Sequence, residues 1–257
     1  MKSKFFAFLA LIALAAVYWT CTHDDGDITP SGPKITRGTN IHLPGLTTGN
    51  PDQWKFDKSH SSALWQTKYV GASGLLTGRF NQFGLAEVTD ALAIKYAVTT
   101  QPLPDTSWAF YENEPAKSYF NGYVQINTSN TGEPGRDAGC NVSGMGTVAI
   151  EAGTQNLSYP NLAKIKTKEI KFDPLSNGYI VTLDLTYQGK LAAPLTKTLI
   201  GKLTYTPKQR VQFGTAAAYD VFGLQLNFQF NCRDFGITST SVADVIEITC
   251  NANFHNK

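Results

Sequence analysis

The stretch Leu224-Gln225-Leu226-Asn227-Phe228-Gln229-Phe230-Asn231-Cys232 alternates without a break, apolar at every even position and polar at every odd one. Successive side chains of an extended chain point to opposite sides, so this pattern makes a strand with one dry face and one wet face. Ile246-Glu247-Ile248-Thr249-Cys250-Asn251-Ala252-Asn253-Phe254 and Val181-Thr182-Leu183-Asp184-Leu185-Thr186-Tyr187 repeat it, and residues 63–69 put Ala63, Trp65, Thr67 and Tyr69 on one side. A strand covered on both faces reads as a continuous apolar run instead, so these strands belong to an antiparallel sheet with one solvated side. The best helical signal lies within residues 159–168, after Pro160, and it is short. The expectation is an all-β chain, a sandwich or a closed barrel, with one or two short helices.

Composition narrows the functions open to such a fold. A hydrophobic content of 42% fills the core of one domain, and a formal net charge of +2 with no basic run gives no groove for nucleic acid. The four histidines, His23, His42, His60 and His255, have no metal-ligand spacing. Asp57, His60 and Ser61 contain the residue types of a hydrolase. Neighbours in a strand face opposite ways, however, and the chain has no Gly-x-Ser-x-Gly elbow. The reading is a hydrogen-bonding cluster at a strand entrance, no catalytic residues, no metal and no enzyme. Asp184 and Asp234 are read as surface or turn residues, and Arg136-Asp137 as a ligand-head clamp or a buried ion pair that fixes a loop, the second reading preferred.

The N-terminus carries an address. Lys2 and Lys4 precede an uncharged stretch, residues 5–20, and Cys21 follows with His23, Asp24, Asp25 and Asp27 behind it. A basic end, a short apolar core and a polar break form a secretory signal over residues 1–20. A cysteine at that break resembles the lipidation site of bacterial lipoproteins, where the cysteine becomes the acylated N-terminus; the alternative is an ordinary secretory signal cut nearby, with Cys21 incidental. Thr22-His23-Asp24-Asp25 resembles a surface-export tag or serves as a solvated acidic tether. Residues 21–50, with Pro30, Pro33 and Pro44 among five glycines, read as a lipidated N-terminus on a flexible tether, and residues 51–257 as the domain. The expected location is the outer membrane, facing the periplasm or the cell surface, with a membrane as partner through the lipid anchor.

Three cysteines remain beyond Cys21. Cys232 and Cys250 fall on the apolar side of adjacent predicted strands, with a turn centred near Ser241. Antiparallel pairing about that turn sets them opposite each other and predicts a disulfide in an oxidising compartment, leaving Cys140 as a free thiol.

From Trp54 the chain resembles a known family. Trp54-Lys55-Phe56-Asp57-Lys58-Ser59-His60-Ser61 resembles the opening of the YceI-like, or polyisoprenoid-binding, proteins. Gly78-Arg79-Phe80, Thr131-Gly132-Glu133-Pro134-Gly135-Arg136-Asp137, Gly201-Lys202-Leu203-Thr204 and Arg233-Asp234-Phe235-Gly236-Ile237 follow in the family's order. Residues 91–117 and the stretch with Cys140 and Gly144-Met145-Gly146 depart from it. The resemblance implies a lipocalin-like antiparallel barrel of about eight strands that holds an isoprenoid-type lipid, a quinone or another amphiphile in an internal tunnel. On that reading Trp65, Thr67, Tyr69, Phe80, Leu183, Leu185, Phe228 and Phe230 line the tunnel. The chain needs no cofactor beyond such a bound lipid or quinone, and its oligomeric state is open, a homodimer among the options. The competing reading is a surface interaction lipoprotein whose barrel is solid.

Overall fold

A computed structural model describes residues 34–37 (backbone course only), 54–69, 74–85, 108–112, 114–133 and 162–257. The signal, Cys21, Arg136-Asp137, Cys140 and residues 91–107 lie outside the described residues. Those described form an all-β antiparallel structure. Its strands are β1 (Lys34–Arg37), β2 (Lys55–Lys68), β3 (Leu75–Phe80), β4 (Phe83–Leu85), β5 (Trp108–Ala109), β6 (Tyr119–Gln125), β7 (Ser129–Asn130), β8 (Leu162–Asp173), β9 (Gly178–Tyr187), β10 (Leu195–Gln212), β11 (Tyr219–Asn231) and β12 (Val245–His255). The described helices are single 3₁₀ turns, Pro115–Lys117, Ile126–Thr128 and Cys232–Phe235, and none is long and apolar enough to cross a membrane.

The sheet order is β4-β6-β8-β9-β10-β11-β12-β2-β3-β7. Its two ends meet on one piece of chain. β3 pairs with β2 and β7, and β4, two residues further on, pairs with β6. Between them Asn81 N–H donates to the Thr128 carbonyl over 3.0 Å, and Gln125 N–H donates to the Gln82 carbonyl over 2.8 Å. The ladder therefore runs on from β3·β7 to β4·β6 and curls the sheet closed. Traced through these two broken strands, the wall is β2, β3–β4, β6–β7, β8, β9, β10, β11 and β12. The count of segments exceeds the expected eight because two wall strands are broken and because β1 and β5 lie off the path.

Two expectations about local structure change. Residues 162–168 are strand, not helix. Ala163, Ile165 and Thr167 face inward opposite Tyr187, Leu185 and Leu183, while Lys164, Lys166 and Lys168 alternate with them. That is a period of two, and pairing with β6 on one side and β9 on the other fixes it. Four residues of the stretch read as tether form β1. β10 outruns β9, whose pairing stops at Leu203↔Tyr179, and β1 takes the edge left open, pairing Lys34–Arg37 with residues 209–212.

The interior is packed in tiers along β11. At its start Phe222 stacks on Phe254, ring centroids 4.6 Å apart, and Trp54 meets Phe222 edge-on at 4.8 Å. Trp108 of β5 lies 4.2 Å from Phe254, so the short strand β5 and Phe110 plug this end with fully buried rings. Past its far end Phe235 contacts Tyr187 at 5.2 Å and Phe230 at 5.5 Å. Gly236 ends this turn with φ 71°, a left-handed conformation that glycine adopts without strain. On β3, Gly78 leaves room for the Trp65 indole, which a Cβ at that position would overlap.

Candidate functional site

Between the two aromatic tiers the barrel is open. Side chains of β9 to β12 form one wall: Leu185, Leu203, Leu226, Phe228, Phe230 and Ile248. β4, β6 and β8 supply the other, with Phe83, Leu85, Val124, Ala163 and Ile165. The space open to the centres of water-sized spheres is ≈ 120 Å³. One water needs only about 10–15 Å³ by that measure, so this is a cavity and not a packing defect. Few polar side chains reach it, and Thr167 and Ser62 are committed to protein. Thr167 Oγ1 accepts from Phe120 N–H over 2.9 Å, and Ser62 Oγ accepts from Asn251 Nδ2 over 3.1 Å. A dry, apolar enclosure of this kind suits an apolar chain.

The cavity reaches a seam in the wall. β2 pairs with β3 only from Ala63↔Phe80 onward, so residues 56–62 face β4 without a ladder between them. Phe56 and Phe83 cross the seam edge-on at 6.3 Å. Lys58 crosses it too, donating to Gln82 Oε1 over 2.8 Å with its ammonium 5.7 Å from the Phe83 ring centre. Burial lowers the Lys58 pKa, because a charged ammonium loses its hydration there. Gln82 Nε2 donates to the Tyr123 hydroxyl over 3.3 Å, and Tyr123 lies across Gly84, where no side chain intervenes. Burial pushes the Tyr123 phenol up to about 12, against a smaller opposing effect of the Gln82 hydrogen bond.

Of the residues named from sequence, Phe80, Leu185, Phe228 and Phe230 border the cavity. Trp65, Thr67, Tyr69 and Leu183 do not. β2 carries the first three past the cavity toward the far tier. There Trp65 Nε1 donates to Ser129 Oγ over 2.8 Å, Thr67 Oγ1 donates to the Val245 carbonyl over 2.9 Å, and Tyr69 is 41% exposed. Leu183 is fully buried in packed core. Sequence reading missed the wall from β4, β6 and β8. The lysine alternation at 164, 166 and 168 was the signal for its inward partners. Asp57, His60 and Ser61 do not make a nucleophile–base pair. Ser61 donates to the Asp57 carbonyl over 2.6 Å and its oxygen accepts from Asn253 N–H over 2.9 Å, while His60 Nδ1 lies 2.6 Å from Asp57 Oδ2. The cluster pins a bulge in β2, where the register against β12 shifts between Asn251 and Asn253. Among the described residues no group of three acidic, histidine or cysteine side chains is placed to hold a metal.

The expected disulfide between Cys232 and Cys250 is absent. Both are free thiols. The β11–β12 ladder pairs Leu226 with Cys250 and Asn231 with Val245, so the turn is centred three residues earlier than near Ser241. Cys232 lies six positions along β11 from Cys250's partner, roughly 20 Å at about 3.4 Å per residue, far beyond the ~7 Å a disulfide spans. Cys232 Sγ instead faces the Ala243 carbonyl at 3.6 Å, and Cys250 borders the cavity. Burial pushes the Cys250 thiol up to about 12, so little thiolate forms at neutral pH. Non-reducing peptide mapping is expected to recover Cys232 and Cys250 unlinked to each other. A crosslinked pair of these two peptides contradicts the register described here.

A family model, the YceI-like domain, matches residues 54–254. The chain belongs to the YceI-like family. The quoted motifs take up structural posts in it: Trp54 in the plugged end, Gly78 beneath Trp65, and Arg233 within the far turn. Similar solved structures include Burkholderia cenocepacia BcnA, at 16% identity and TM-score 0.48, covering 77% of this chain and 99% of that one. A polyisoprenoid-binding domain from Saccharophagus degradans, implicated in plant cell wall breakdown, shows 10% identity and TM-score 0.40 over 80% of this chain and 99% of its own. A mutant CJ YceI protein with a monobromobimane guest shows 16% identity and TM-score 0.43 over 74% and 90%. No curated protein matches the chain.

Proposed function

We propose that this YceI-like protein binds an isoprenoid-type lipid, a quinone or another long amphiphile in the barrel, and that it does so as an exported, lipid-anchored binding protein of the outer membrane. The observation that carries the binding reading is the cavity: a void walled by apolar side chains between two packed aromatic tiers, reaching a seam at β2 and β4. The energetics need only desolvation. Each Å² of apolar ligand surface moved from water to such walls contributes about 25 cal/mol, so a long tail supplies the affinity and a few polar groups set its direction. The anchor rests on the apolar run that ends at Cys21. Two or three acyl chains hold a protein at a bilayer where one does so marginally.

Native mass spectrometry and lipid extraction of protein purified from its own host test the binding. A co-purifying chain of defined mass is expected; its absence, together with no uptake of any isoprenoid, quinone or fatty acid, ends the binding reading. Membrane fractionation of Cys21→Ser tests the anchor separately. The variant is expected in the soluble fraction, and retention equal to wild type removes the anchor.

A further inference from the structure

One end of the barrel carries an apolar tip that the cavity does not explain. The β10–β11 turn, residues 213–218, exposes Phe213, Ala216 and Ala217, and Phe213 is 50% open to solvent. Its ring stacks on Tyr219, with centroids 6.2 Å apart and planes 23° from parallel. Behind the pair, Tyr219 meets His255 edge-on at 6.3 Å, and the Lys257 ammonium lies 5.3 Å from the centre of the Tyr219 ring. Exposed Lys55 pairs opposite His255 in the β12–β2 ladder. Asp220, beside the turn, is held by Arg210 at 3.1 Å and by Asn256 at 3.3 Å. Exposed rings backed by lysines suit a membrane interface, where aromatic side chains sit at headgroup level and lysine stems carry their charge to the phosphates.

The course of the chain points to the same partner. β1 pairs antiparallel with the end of β10, Lys34 opposite Gln212 and Arg37 opposite Gln209. The start of β1 therefore lies beside Phe213, and the chain toward Cys21 departs from the tip. Residues 22–33 alone then separate Cys21 from the barrel, a span of at most about 45 Å, against about 110 Å for a tether that ran on to Trp54.

We propose that the β10–β11 turn is a second membrane contact, with Phe213 and Tyr219 entering the headgroup layer of a phospholipid bilayer and β1 aiming the anchored chain at that same end. The orientation rests on the lipid anchor proposed above. Two rings hold a bilayer weakly by themselves, as one acyl chain does. A short tether makes the second contact intramolecular and keeps the tip at high effective concentration near lipid. Docked this way, the barrel stands on its plugged end. The seam begins at that end too, since Phe56 pairs with Phe254 and Phe254 with Phe222.

The test uses the acylated protein purified from its host and reconstituted on phosphatidylethanolamine–phosphatidylglycerol vesicles. A tryptophan is placed at the tip, Phe213→Trp, or at the other end of β10, Ala193→Trp. Both positions are exposed, so neither change disturbs the core, and buried Trp54, Trp65 and Trp108 give both variants the same background. Intact mass and vesicle flotation establish the anchor first. On vesicles the Phe213→Trp emission is expected to shift to shorter wavelength. Lipids brominated high on the acyl chain should quench it more than lipids brominated near the chain end, since interfacial groups reach about 5–10 Å into the boundary. Ala193→Trp is expected to respond to neither lipid. Adding Tyr219→Ser and Lys257→Glu to Phe213→Trp should remove most of the quenching while the protein still floats. A floating protein whose tip tryptophan is quenched no more than Ala193→Trp overturns the docking and leaves the anchor. A blue shift at the tip without quenching by bromine means that a second copy covers the ring, and also overturns it. A protein that carries no acyl mass and stays off vesicles ends both readings.

Discussion

Phe222→Ala is expected to cost about 3–5 kcal/mol, while Phe228→Ala, three repeats of the pleat along the same strand face, costs about 1.5–3 kcal/mol. Both rings are buried, at 2% and 6% exposure, so burial alone does not separate them. Their neighbours do. Phe222 stacks on Phe254 and touches Trp54, Trp108, Phe110 and Tyr205, so removing it opens a new hole that packed rings cannot fill. Phe228 borders space that is already open, so its loss is mainly the transfer of the ring, without the added cavity cost. Phe228→Trp extends the contrast: a solid core resists the larger ring by about 1–3 kcal/mol, while the cavity accepts it with little loss of stability and with weaker ligand uptake. Urea unfolding of the three variants measures this. Equal losses at 222 and 228, with Phe228→Trp severely destabilised, would mean the barrel is packed solid at the middle of β11.

Arg233→Met is expected to lower stability by about 3 kcal/mol. One guanidinium holds the whole β11–β12 connection. Its Nη1 donates to the Ile237 carbonyl over 2.7 Å and to the Ser239 carbonyl over 2.9 Å, its Nη2 donates to the Val242 carbonyl over 2.8 Å, and its Nε donates to Asp244 Oδ1 over 2.9 Å. Methionine keeps the stem and strands three partly buried carbonyls. Lysine fails nearly as badly, because a point charge cannot occupy three sites of a planar fork. Asp244→Asn is the control. Asp244 is 64% exposed, so losing that ion pair changes stability by less than about 1 kcal/mol. Thermal unfolding gives the totals, and hydrogen exchange across residues 237–243 shows whether the loop loosens. An Arg233→Met variant as stable as Asp244→Asn contradicts the clamp.

The barrel was legible because solvent touches one face of each strand, and that writes a period of two into β9, β11 and β12. The same rule was present in β8, but a proline ahead of it and the short apolar count suggested a helix; pairing with β6 and β9 decides the matter, and pairing partners are not written locally. The cavity was half legible. Phe228 and Phe230 share a face with each other and with Phe222, yet the first two border a void and the third a stack. Position along the barrel axis makes that difference, and it depends on β5 plugging one end, a contact across more than a hundred residues of sequence. The disulfide failed for a related reason. Where the ladder begins after a turn depends on how the turn folds, and the β11–β12 connection opens with a 3₁₀ turn at Cys232–Phe235, in a register centred three residues earlier.

The ring closes between the first wall strand and the last, with Trp65 opposite Ile248 and Phe56 opposite Phe254. A chain made from its N-terminus therefore cannot seal the barrel until β12 has been synthesised. Until then β2 and β11 each present an open backbone edge to whatever is nearby. Contacts this distant in sequence also slow folding, since loop closure is paid for before any pairing rewards it. Loss of β12 alone would leave two facing edges with nothing between them, and such a truncated chain is expected to aggregate instead of persisting as a smaller, looser barrel.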